Sequence, residues 1–201
     1  MRVDKVILKA FISTLSAIVL LFAFMFSVLA LAFPSTMMQL SYDFGRDKTS
    51  IRYAQRAYDW FDDTYYMAYA MEVAIGSDNQ EMIEKCGEIV VEDEEYFTQY
   101  CADKQATMSD EVMMNYEDYL YGKIAVAKYE QGKKEEAVNY AFDTLKGGFP
   151  YDNAVMAVLY AALDDQATFD MIKGKMETQL ANLAEGEEKA YCDKMLKEMS
   201  K

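Results

Sequence analysis

From Ala10 to Tyr42 the chain carries no charged side chain, and within that stretch Ala10–Phe33 reads AFISTLSAIVLLFAFMFSVLALAF. Those twenty-four residues hold nothing more polar than Ser and Thr. A helix rises 1.5 Å per residue, so the segment reaches about 36 Å and can cross a hydrocarbon core of about 30 Å with some tilt. A helix in a soluble core normally keeps a polar stripe, and this one has none. Lys9 closes one end and Pro34 the other. The organisation that follows is a basic tail at 1–9, a transmembrane helix at 10–33, a juxtamembrane linker at 34–46 and a domain at 47–201. About 155 residues in that last part are enough for one hydrophobic core.

The end of the apolar run admits a second fate. Ala30-Leu31-Ala32 is an A-x-A cleavage pattern behind a tail with Arg2, Lys5 and Lys9. Against cleavage, the uncharged run before the site is longer than the usual apolar core of about 7–15 residues in a signal peptide. An uncleaved anchor is therefore expected. Three basic residues within the first nine favour a cytoplasmic tail and an extracytoplasmic C-terminal domain, since the far side has none until Arg46. Lys48, Arg52 and Arg56 follow at four-residue steps, one basic stripe on a helix expected to rise from the membrane.

Charge is sharply partitioned in a chain of net charge −14. Residues 57–122 hold seventeen acidic groups against only Lys85 and Lys104. Such a field repels phosphate backbones and disfavours nucleic acid, while it can attract a basic partner. The plainer reading is a solvated acidic surface. The chain has no histidine, which removes Ser-His-Asp and Cys-His catalysis and histidine-containing zinc sites. Of three cysteines, none forms a CxxC pair. Cys86 and Cys101 flank an expected helix–helix turn and could bridge in an oxidising compartment, or simply be small buried residues.

Apolar periodicity beyond the anchor is helical throughout, and proline occurs only at Pro34 and Pro150. Helices are predicted over about 47–75, 80–91, 93–106, 110–131, 134–147, 152–164, 167–183 and 187–199. Gly76-Ser77-Asp78-Asn79, Ser109-Asp110, Gly132, Gly147-Gly148-Phe149-Pro150, Asp164-Asp165 and Gly186 punctuate them. The fold class is all-α, with antiparallel helical hairpins after the transmembrane helix. In the first helix two apolar stripes run side by side, which calls for cover on both faces. Its aromatic residues Tyr58, Trp60, Phe61, Tyr65, Tyr66 and Tyr69 are candidates for a peptide-binding groove, or core packing with hydroxyls at the surface.

Residues 121–150, YGKIAVAKYEQGKKEEAVNYAFDTLKGGFP, resemble one degenerate tetratricopeptide repeat. Tyr121, Ile124 and Ala125 match its first helix, Gly132 its turn, and Ala137 the small residue where the two helices cross. Lys128 and Ala141 stand where the family usually has large aromatics, Thr144 where it has Ala, and Pro150 arrives one residue late. The resemblance implies a helical-repeat array that binds proteins or peptides and does not itself catalyse.

Glu92-Asp93-Glu94-Glu95 is dense enough to collect a divalent ion but lacks the glycine turn and spacing of a calcium loop. An acidic first helical turn is the better reading, and the same four residues are the candidate contact face for a basic segment. No Gly-rich phosphate loop is present. The expectation is a membrane-tethered adaptor without cofactor or metal. The alternatives are a secreted or shed enzyme after cleavage following Ala32, and a structural subunit that makes its contacts through the transmembrane helix.

Overall fold

The computed structural model describes residues 2–108, 115–145, 154–182 and 185–199, and every regular element among them is an α-helix. By its internal contacts the chain divides into two units, Met1–Tyr69 and Ala70–Lys201.

In the first unit α1 (Arg2–Ala32) contains the run Val6–Ala32, long and apolar enough to cross a membrane, and none of its residues is buried in the rest of the chain. Pro34 ends it, because proline has no N–H to give the carbonyl four residues back. The same ring has the backbone angle that opens a helix, and Pro34 is the first residue of α2 (Pro34–Asp43). The segment 34–46, read from sequence as a linker, is thus mostly helical. Gly45, with φ of 65°, then turns the chain, its N–H donating to the Tyr42 carbonyl.

The next helix, α3 (Asp47–Phe61), packs along α2. Ser50, fully buried, donates its hydroxyl to the Met38 carbonyl at 2.8 Å, and Ala54 and Ala57 are completely buried. Tight return at Gly45 makes the pair antiparallel, so α3 runs back toward the end of α1 and does not rise away from it. The helix expected over 47–75 is broken. Asp62 takes a left-handed φ of 51°, and the Asp63 carboxylate accepts the Tyr65 N–H at 2.9 Å, starting α4 (Tyr65–Gly76). Local side-chain hydrogen bonding by Asp outweighs the apolar stripe that runs through the break.

The second unit is built around α7 (Tyr116–Glu130). Before it come α5 (Gln80–Glu92) and α6 (Glu94–Thr107); after it come α8 (Lys134–Asp143), α9 (Ala154–Ala161), α10 (Gln166–Asn182) and α11 (Glu187–Met199). Helix α7 touches its partner α8 and also α5, α6 and α9, while α8 touches α9 and α10. Small residues allow the closest approaches. A Cβ on Gly87 would lie 2.6 Å from Ile124 Cγ1, and one on Gly122 would lie 3.1 Å from Ala157 Cβ. Tyr121, Ile124, Ala125 and Ala137 are all buried, and Gly132 turns α7 into α8 with φ of 80°. A cap falls where the sequence placed one at Asn79, which accepts from Met82 N–H; Asp93, read from sequence as part of a first turn, is the cap of α6 and accepts from Tyr96 N–H. The Ser109-Asp110 and Gly147–Pro150 breaks lie outside the described residues.

One buried position between α5 and α7 is charged. Lys128 is buried, and its ammonium donates to Glu84 at 2.9 Å and to Glu88, joining α7 to α5. Glu84 also accepts from Lys133 at 2.7 Å and from Gln131 at 2.7 Å. The Lys128 ammonium lies 5.5 Å from the Tyr140 ring centre on α8. A cation holding two carboxylates and lying near a ring face thus fills this buried position.

Candidate functional site

The four acidic residues singled out from sequence form the joint between α5 and α6. Glu92 is the last residue of α5, Asp93 caps α6 by accepting the Tyr96 N–H at 3.2 Å, and Glu94 and Glu95 occupy the first turn. Carboxylates there meet the positive end of the helix dipole, so the local charge is stabilised by the helix it starts. Glu92, Glu94 and Glu95 are exposed, and Asp93 is half-buried. Glu94, Glu95, Thr98 and Gln99 line an open depression of about 590 Å³. On the opposite side of α6, Phe97 and Cys101 are buried in the core. The helix therefore presents one acidic, hydroxyl- and amide-bearing face to solvent. Among the described residues no group of three His, Cys, Asp or Glu side chains comes together as a metal site.

Beside that face runs a ladder of tyrosines that sequence reasoning did not single out. Tyr96 and Tyr100 stack at 5.8 Å, Tyr100 meets Tyr116 edge-on at 6.0 Å, and Tyr116 lies 5.7 Å from Tyr119. The Tyr100 hydroxyl donates to Glu72 Oε1 at 2.5 Å, and Lys104 pairs with the same carboxylate. Burial, and then the bond to Glu72, push Tyr100 far above its ordinary value. It keeps its proton and serves as a donor. The four-residue step from Tyr96 to Tyr100 was the available local sign; the pairing with Glu72, 28 residues away, had none.

The aromatic cluster read from the first helix belongs to the other unit and divides by environment. Tyr58, Tyr66 and Tyr69 are half-buried, whereas Trp60, Phe61 and Tyr65 are each about half exposed at 51%, 54% and 50%. Tyr66 lies 5.8 Å from Phe61 and 5.4 Å from Tyr65. Tyr69 reaches Ser50 at 3.3 Å and meets Tyr42 edge-on at 6.1 Å. Since the Ser50 proton goes to Met38, Tyr69 is the donor of that bond. Arg56 lies 5.7 Å from the Trp60 ring centre. Ala30 and Ala32, the candidate cleavage residues, are in the last turn of α1. No protein-family model, curated protein or solved structure matches the chain.

Cys86, Cys101 and Cys192 are buried as thiols. Burial pushes the Cys86 thiol up to about 11, so it stays protonated and is a weak nucleophile. The chemistry gathered on the exposed face of α6 is carboxylate, hydroxyl and amide, suited to hold a cationic segment by hydrogen bonds and charge.

Proposed function

We propose that the chain is a membrane-tethered, tetratricopeptide-like adaptor whose acidic face on α6 holds a basic segment of a protein partner. The observation that carries this reading is the depression lined by Glu94, Glu95, Thr98 and Gln99 on a helix otherwise anchored by Phe97 and Cys101. The helix order supports a repeat array. Hairpins α5–α6 and α7–α8 are each in contact, α7 packs on the preceding α5 and the following α9, and α8 meets α10. Stacking first helices on first helices and second on second is how helical repeats extend a core. The run Val6–Ala32 supports the tether, and the basic tail supports a cytoplasmic N-terminus with the domain at 47–201 outside. No catalytic step enters the reading.

The test places a photo-crosslinking amino acid at Thr98 of the full chain in its native membrane and sequences the product. A discrete partner, cross-linked through a Lys- or Arg-rich segment, is expected. It should be lost in Glu92→Gln/Glu94→Gln/Glu95→Gln, which leaves the Asp93 cap in place. Cross-linking unchanged by that triple substitution, in a variant of unaltered helicity, would refute the acidic face as the contact.

A further inference from the structure

Among the carbonyls at the end of α1 that the helix itself cannot satisfy is that of Ala30. The Ala30 oxygen would accept from the residue four ahead, which is Pro34 and has no N–H. Arg56 supplies the missing donor, its Nη1 lying 3.4 Å from the Ala30 oxygen. That contact places the last turns of α3 beside the last turn of α1. The run Val6–Ala32 spans about 40 Å as a helix, against about 30 Å of hydrocarbon, so a helix that crosses must end among the headgroups.

Near that end the first unit exposes Trp60, Phe61 and Tyr65. Trp60 is one turn beyond Arg56 and lies under its guanidinium, Phe61 follows it in the chain, and Tyr66 lies against both Phe61 and Tyr65. Lys48, Arg52, Arg56 and Trp60 follow at four-residue steps along α3, and Lys48 and Arg52 are exposed. A stripe of cations ending in a tryptophan matches the headgroup layer, where phosphates meet the cations and amphipathic rings settle. Asp59, Asp62 and Asp63, all exposed at the same end, oppose deeper insertion and hold it among the headgroups.

We propose that Trp60, Phe61 and Tyr65 sit in the headgroup layer of the leaflet in which α1 ends, making α2–α3 a hairpin that returns to the membrane as a second contact. This rests on the reading that α1 spans the bilayer, and Arg56 ties the two contacts together. Exposed aromatics on two successive helices, α3 and α4, are otherwise an uncovered apolar patch.

Trp60 is the one tryptophan of the chain, so its fluorescence reports this place alone. The full chain is reconstituted in phosphatidylcholine–phosphatidylglycerol vesicles carrying bromine either near the headgroup or deep in the acyl chain. Trp60 emission should be blue-shifted from that in water and quenched more by shallow than by deep bromine. Arg56→Gln should lose part of the shallow quenching and shift the emission to the red. The variant Phe22→Trp/Trp60→Phe reads α1 and should be quenched best by deep bromine. If that variant is quenched and Trp60 escapes both probes, whether its emission is blue or water-like, the interfacial seat is refuted and the span stands. If both escape, the span falls and the inference with it.

Discussion

Glu84 shows how a single side chain decides what surrounds it. Burial alone would raise its carboxyl, but the bonds from Lys133 and Lys128, with the Lys128 charge, bring it below its ordinary value of 4.5. Lys128 is likewise held above 10.5, because Glu88 and Glu84 outweigh its burial. A depressed carboxyl contributes stability above its unfolded value and loses it as pH falls through the folded one. A raised ammonium contributes below its unfolded value and loses it as pH rises through the folded one. The network is therefore fully effective between about pH 4.5 and 10.5 and fails outside that window. Glu84→Ala should cost about 3–5 kcal/mol near neutral pH, because it strips a buried lysine of a partner. Denaturant unfolding of the detergent-solubilised chain measures it. The gap between variant and parent should narrow on acidification below pH 4.5; a gap constant with pH would mean that charge is not the cause.

Gly87 sets the distance between α5 and α7. Adding one methyl there places a Cβ 2.6 Å from Ile124 Cγ1, inside a fully buried crossing. Gly87→Ala should cost about 1–3 kcal/mol by overpacking. Paired with Ile124→Ala it should cost less than the two single changes added together, since the smaller side chain makes room. Strict additivity in denaturant unfolding would contradict that close approach. Local patterns read elements of this kind well where the cause is local: Asn79, Asp93 and Gly132 mark ends that their own side chains or backbone produce. Asp62 was harder, because apolar residues continue through the break and the decisive bond is from the Tyr65 N–H to the Asp63 carboxylate. Helix α2 was missed for a related reason. Pro34 was taken only as the stop of the apolar run, although a proline that ends one helix is also suited to begin the next.

Contacts between distant residues were not legible. Lys128 with Glu84 and Arg56 with Ala30 join positions 44 and 26 residues apart, and no window along the chain contains both members. Yet those pairings give the molecule its character: one fastens α7 to α5, and the other repairs the carbonyl that Pro34 orphans at the end of α1. The acidic block, by contrast, was plain from composition: Glu94 and Glu95 form the acidic first turn of α6, behind its cap Asp93, while Glu92 closes α5. All of this depends on where α1 resides. Intact-mass spectrometry on the protein from its native cells, after alkaline carbonate washing of the membranes, tests that most directly. The account predicts a chain that keeps residues 10–33 and stays with the washed membranes. A soluble chain beginning at Phe33 would show that Ala30-Leu31-Ala32 is cut, and would contradict the tether.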